Sequence, residues 1–141
     1  GVTSREKEIV SRGKIAHYIL DSYSARKLSM EPTGNSGGVT NIRANNSGQS
    51  LTQMIAPIKK GLLVTELMGF GVNNLTGDYS RGATGFYIDN GAISHPVEEV
   101  TIAGNLLEML TDIIAISDDA ETNNAIQVGS IFIKEMTVAG N

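Results

Sequence analysis

The sequence predicts an α+β fold that is mainly β: a twisted antiparallel sheet or sandwich carrying one main helix and one or two short helices. Three observations lead there. Short runs rich in Val, Ile and Leu recur between glycine-containing turns. Asp89-Asn90-Gly91 stands between two apolar arms, and Asn-Gly supplies the two positive φ angles of a type I′ hairpin turn. Leu106, Met109, Leu110, Ile113 and Ile114 fall on one helical face behind Asn105. At 141 residues, 40% hydrophobic and 18% charged, the composition is globular, and one domain over residues 1–141 is the expected count.

In chain order, residues 8–10 and 14–20 read as extended arms around Ser11-Arg12-Gly13. Asp21 or Ser22 can cap a short helix over 22–28. Residues 31–50 are rich in Pro, Thr, Gly, Asn and Ser and leave room for one strand at 39–43. Ser50 can cap a helix over 51–60, with Lys59 and Lys60 suiting its C-terminal dipole and Gly61 its left-handed cap. Pro57 would kink or break it near residue 56. Residues 62–68 form a strand that exits through Gly69-Phe70-Gly71, and the hairpin pairs 85–88 with 92–95 and continues through 97–102. The main helix is expected over 105–116, with Glu108 at its third position. An acidic loop at 117–124 leads to a short strand at 125–128 and a last one at 130–138.

The net charge of −4 excludes a basic nucleic-acid-coating protein and direct nucleic-acid binding is not expected. Residues 1–70 nonetheless carry +4 and residues 71–141 carry −8, an asymmetry satisfied either by an acidic partner or by the two halves docking. Zero Cys removes disulfides and thiol chemistry, no apolar run reaches a bilayer-spanning length, and no secretory pattern opens the chain, so it reads as soluble and intracellular. Only His17 and His95 are available to a metal. In His95-Pro96-Val97-Glu98 the extended backbone that Pro96 favours sends His95 and Glu98 to opposite faces. Asp118-Asp119-Ala120-Glu121 reads as a solvated loop. Ser24 and Lys27 are three apart but lack a strand-to-helix elbow. The glycine-rich loops 33–38 and 69–74 fit neither a dinucleotide nor a P-loop pattern, and read as ordinary turns whose amides could cradle an anion or a peptide carbonyl.

Taken together, Ser22-Tyr23-Ser24-Ala25-Arg26-Lys27-Leu28, Pro32-Thr33-Gly34-Asn35, Val64-Thr65-Glu66-Leu67-Met68-Gly69, Thr76-Gly77-Asp78-Tyr79-Ser80-Arg81-Gly82-Ala83-Thr84-Gly85-Phe86 and Ile102-Ala103-Gly104-Asn105-Leu106 resemble the C-terminal part of the TldD/PmbA family. The resemblance implies the C-terminal domain of a non-catalytic subunit in a cytoplasmic zinc metalloprotease complex, acting in peptide processing and proteolysis. The family's older name is modulator of DNA gyrase. The implied partners are a TldD-type metalloprotease subunit and peptide substrates, with no membrane. In catalytic members a helix of an earlier domain supplies two His and a Glu, and a Cys-Gly in the last domain adds a ligand. The matching stretch here is Gln127-Val128-Gly129-Ser130, where Val128 has no lone pair to give. Zinc is therefore expected only in the TldD-type partner, with no cofactor in this chain.

Peptide-binding or interface residues are expected at Thr33, Gly34, Asn35, Gly69, Gly71, Asp78, Tyr79, Ser80 and Arg81, with no catalytic residue in this stretch. Two alternatives belong to other classes: a metal-independent hydrolase acting through Ser24 and Lys27 or Asp78 and Ser80, and a direct gyrase-binding regulatory module using the acidic half. Residues 62–70 and 131–138 are the expected sheet edges, and an isolated domain with such edges should self-associate.

Overall fold

A computed structural model describes residues 2–140, which form two compact units that divide between Ile42 and Arg43. The fold is α+β and mainly β, with three short helices. In the first unit β1 (Val10–Ser11) pairs antiparallel with β2 (Lys14–Ile15) across Arg12 and Gly13, both at positive φ. The arms are shorter than residues 8–10 and 14–20 suggest, because beyond Ile15 the ladder gives way to bonds from the Ala16 and His17 amides to the Ile9 carbonyl. Helix α1 (Ser22–Lys27) is capped by Asp21, whose carboxylate accepts from the Ser24 amide at 2.7 Å. Leu20 and Ala25 are the buried apolar residues of this unit.

Strand β3 (Ile42–Arg43) keeps only the end of the expected 39–43 run. Just beyond it the Ala44 amide donates to the carbonyl of Gln127 in β8 (Ile126–Gln127). Helix α2 (Leu51–Ile55) has a complete capping box: Ser50 accepts from the Gln53 amide and the Gln53 side chain accepts from the Ser50 amide. It ends at Ile55 rather than at residue 60, since Pro57 has no amide to donate and its ring excludes another turn. The chain is already extended at β4 (Lys60–Met68), so Gly61 lies inside a strand and is not a helix cap.

The main body of the second unit is a four-stranded antiparallel sheet in the order β10-β6-β5-β4. Strands β5 (Asp78–Asp89) and β6 (Ala92–Asn105) are much longer than the expected 85–88 and 92–102. Asn90 and Gly91 make the turn at φ 48° and 80°, and their amides donate to the carbonyls of Lys59 and Ile58 at 2.8 and 2.7 Å. One core face gathers the buried Ala83, Val100 and Ile102 with Leu62, Val64, Tyr79, Val97 and Met136. Bulges reset the alternation, at Thr65 in β4 and around Glu99 in β6, and Glu99 sits at φ 56°. Gly85 has no substitute where it stands: an added Cβ would run into the Leu63 carbonyl of the neighbouring strand.

The main helix is half its expected length. Helix α3 (Leu106–Thr111) stops at Asp112, and Ile113–Ile116 become β7, paired antiparallel with β9 (Ile131–Ile133). Three β-branched residues in four favour the extended form once a partner strand is present. The apolar stripe that predicted one helix is thus divided, with Leu110 and Ile114 of it exposed. The expected strand 130–138 likewise splits into β9 and β10 (Thr137–Ala139), which pair with different neighbours, β7 and β6. β4 and β10 are the two edges of the main sheet.

Asn90→Pro tests the hairpin. Proline holds φ near −65° and removes the amide that bonds the Lys59 carbonyl, so a loss of about 2–4 kcal/mol is expected in urea unfolding. A midpoint equal to the parent's would mean the turn does not govern the sheet.

Candidate functional site

The connection between β4 and β5 is built from its hydrogen bonds inward. Gly71 runs against Ser80: the Ser80 amide donates to the Gly71 carbonyl at 2.6 Å, and an added Cβ on Gly71 would collide with the Ser80 carbonyl. Val72 bridges Tyr79, and the Asn73 amide donates to the Asp78 carbonyl at 2.8 Å. The Asn73 side chain accepts from the Leu75 and Thr76 amides, closing an Asx turn, and the Gly77 amide returns to the Asn73 carbonyl. The Thr76 hydroxyl donates to Asp78 Oδ2 at 2.6 Å. Asn105, whose side chain caps α3 by accepting from the Leu107 amide, also donates from Nδ2 to the Thr76 carbonyl at 3.0 Å. The Leu106 amide donates to the Gly77 carbonyl at 2.7 Å.

Arg81 closes the base of this loop. Its Nη2 donates to the Leu67 carbonyl at 3.1 Å and its Nε lies 3.5 Å from the Met68 carbonyl, just before Gly69 turns at φ 79°. Tyr79 packs on the core. Gly69, Gly71, Asp78, Tyr79, Ser80 and Arg81 therefore come together as the frame of one loop. Its tip carries Phe70 and Leu75, at 103% and 98% exposure. Residue types alone gave Leu75 no distinction; its signal was an apolar side chain inside a turn sequence.

Thr33, Gly34 and Asn35 form a separate group in the first unit. Lys7 Nζ donates to the Thr33 carbonyl and, at 2.7 Å, to Asn35 Oδ1. Thr33 Oγ1 accepts from the Leu20 amide at 2.8 Å, and Gly34 lies against the Thr3 and Ser4 backbone. These residues hold the N-terminal segment. Ser24 and Lys27 do not face each other as a nucleophile and base: the Ser24 amide serves the Asp21 cap and the Lys27 ammonium lies over the Tyr23 ring, 5.7 Å from its centre.

The acidic loop is not simply solvated, because Asp119 is the acceptor of a clasp. The buried Ser117 hydroxyl donates to Asp119 Oδ1, the Ser130 amide donates to the same oxygen at 2.7 Å, and the Ser130 hydroxyl donates to Oδ2 at 2.7 Å. The Ser117 hydrogen bond, helped by Ser130 and opposed by partial desolvation, holds the Asp119 carboxyl below the usual carboxylate range. Val128 stands beside this clasp as an apolar, partly exposed side chain.

A metal finds no matching donor set here. Among the described residues no three His, Asp or Glu side chains converge. His17 Nδ1 is 2.7 Å from the Glu8 carbonyl, and His95 stacks on Tyr87 at 5.2 Å with Nδ1 near Ser94 Oγ. Neither is grouped with a further ligand.

The family model for the PmbA/TldA metallopeptidase C-terminal domain matches residues 1–140. Metalloprotease PmbA of Escherichia coli O157:H7 is 48% identical over 140 residues, 99% of this chain and 31% of that protein. A solved Thermotoga maritima chain, named for a modulator of a DNA gyrase, superposes with a TM-score of 0.88 at 30% identity over 98% of this chain and 34% of its own. TldE from Thermococcus kodakarensis gives 0.80 at 27% identity, over 99% and 35%. The chain spans about a third of the length of the curated relatives it matches.

Two outcomes are expected. The folded Asp119 carboxyl titrates below its unfolded value, so the clasp contributes stability above the unfolded pKa and loses it as pH falls through the folded one. Melting temperatures measured from pH 7 to 3 should fall less steeply for Asp119→Asn than for the parent. The 141-residue chain should also retain substoichiometric zinc after dialysis; one zinc per chain by mass spectrometry would contradict the donor inventory.

Proposed function

Because the chain belongs to the PmbA/TldA metallopeptidase C-terminal domain family, we propose that it is the C-terminal domain of a non-catalytic subunit, acting in binding and assembly with a TldD-type partner in a cytoplasmic peptide-processing complex. One observation carries this reading. At Gln127-Val128-Gly129-Ser130 the chain offers Val128, which has no lone pair, and the nearby Asp119 carboxylate already accepts from Ser117 and Ser130. The partner would hold the zinc that polarises a peptide carbonyl.

The contribution of this domain is a surface for holding chain. Extended peptides bind sheet edges through main-chain bonds with little regard to side chains, and β4 and β10 are such edges. The bulge at Thr65 interrupts β4, which pairs regularly with β5 from Lys60 to Val64 before it and from Glu66 to Met68 after it. The frame formed by Gly69, Gly71, Asp78, Tyr79, Ser80 and Arg81 adds a shaped, hydrogen-bonded loop beside that edge.

The test is reconstitution of the full-length protein with a TldD-type partner and an unstructured peptide. Cleavage should require the partner and be abolished by chelation of the partner's zinc, while the full-length protein alone leaves the peptide intact. Cleavage by the purified protein alone would favour the hydrolase alternative and end the non-catalytic reading.

A further inference from the structure

We propose that Asn35 is a self-modifying site: the backbone nitrogen of Ser36 attacks its side-chain amide, ammonia leaves, and a cyclic imide opens to an aspartyl or β-aspartyl carboxylate facing Lys7. This chemistry stands apart from the assembly reading.

The step needs no reagent but water. The Ser36 amide gives its proton to solvent base and its nitrogen bonds to Asn35 Cγ. The Cγ–Nδ2 bond breaks as that nitrogen takes a proton from solvent and departs as ammonia, and water then opens the five-membered ring at either carbonyl. The barrier falls where the attacking amide can shed its proton and where the negative charge developing on Oδ1 meets a donor.

Asn followed by Gly or Ser leaves the attacking amide least shielded, which marks three pairs in this chain: Asn90-Gly91, Asn46-Ser47 and Asn35-Ser36. The structure separates them. In Asn90-Gly91, the most reactive pair by sequence, the Gly91 amide donates to the Ile58 carbonyl at 2.7 Å and Asn90 Nδ2 donates to Asp89 Oδ1 at 3.0 Å. An added Cβ at Gly91 would strike the Ala56 carbonyl, so the turn is closely packed and has little room to rearrange. The Ser47 amide donates to the Ile116 carbonyl at 2.7 Å. A proton committed to a carbonyl at such a distance is withheld from solvent.

Asn35 differs on both counts. It opens a turn closed by the Gly38 amide on the Asn35 carbonyl at 3.0 Å, and the amide of the second residue in such a turn has no bond to make within it. Ser36 is exposed, and among the described residues its amide has no hydrogen-bond acceptor. Gly37 and Gly38 follow, each with open space where a Cβ would stand, so the backbone is free to close on the side chain. Asn35 Oδ1 accepts from the Lys7 ammonium at 2.7 Å and lies 2.9 Å from the Thr33 hydroxyl. Lys7 also donates to the Thr33 carbonyl, which keeps the ammonium in place. A fixed cation on that oxygen stabilises the charge of the tetrahedral intermediate and afterwards meets the product carboxylate as an ion pair.

The experiment stores the folded full-length protein at neutral and at mildly alkaline pH. Mass spectrometry of its proteolytic peptides reads the amide-to-acid mass increase at Asn35, Asn46 and Asn90. Asn35 should convert first, and faster at the higher pH, and Lys7→Gln should slow it about tenfold or more. Conversion at Asn90 or Asn46 ahead of Asn35, or Asn35 left intact, would overturn the proposal. So would a Lys7→Gln rate equal to the parent's while Asn90 stays intact. Because Lys7→Gln can loosen the N-terminal segment, the parent unfolded in guanidinium supplies a second measurement. There the order should reverse, with Asn90 first; Asn35 still leading in the unfolded chain would show that the fold does not select the site, and would equally overturn the proposal.

Discussion

The turn at Asn90 and Gly91 is the constraint on which the second unit depends. Two positive φ angles in succession reverse the chain with the twist that two long antiparallel strands need, and the same two amides fasten the Ile58 and Lys59 carbonyls. The turn therefore sets the register of β5 against β6 and, through residues 58 and 59, the entry of β4. A slip of one residue would turn Ala83, Val100 and Ile102 from the core face to the other side.

From that register the loop at the far end of β5 follows. Counting back from the turn brings Asp78 opposite Asn105, so one side chain both caps α3 and holds the Thr76 carbonyl. The backbones of Gly71 and Ser80 then approach too closely for any β-carbon on Gly71. Phe70 and Leu75 project from a loop that closes through the Asn73, Thr76, Gly77 and Ser80 bonds without them. The long motif from Thr76 to Phe86 thus has a physical content: it codes a loop closure, a strand and the Gly85 contact in a single run.

Asp119 does comparable work among the later, irregular segments. Short ladders such as β7 with β9 bury little, and Ala115, Ser117 and Gly129 are the buried residues in these segments. A carboxylate receiving two hydroxyls and an amide joins residues 117–119 to 129–130, while the Ser117 amide donates to the Ser130 carbonyl and the Asp118 amide to the Gln49 carbonyl. Polar bonds stand in where apolar burial is thin.

What the sequence determined by itself are the features that depend on neighbouring residues. These are a cap at Asp21 or Ser22, the Ser50 and Asn105 caps, the break before Pro57, the type I′ turn and the mainly β composition. Each arises from backbone sterics or a hydrogen bond spanning a few residues, which a linear reading can see. Motif resemblance added the family by matching runs of such local features. Tertiary structure decided the rest. Ile113, Ile114 and Ile116 fit a helical stripe as well as a strand, and the presence of β9 chose the strand. Residues 130–138 carry one continuous β signal, but two different partners divide it. Asp119 looks like any loop carboxylate until Ser117 and Ser130 are folded beside it, and Phe70 and Leu75 look like core residues until the loop closes without them. Pairing partners, and the side of a loop that faces water, are properties of distant segments brought together, and no local preference encodes them.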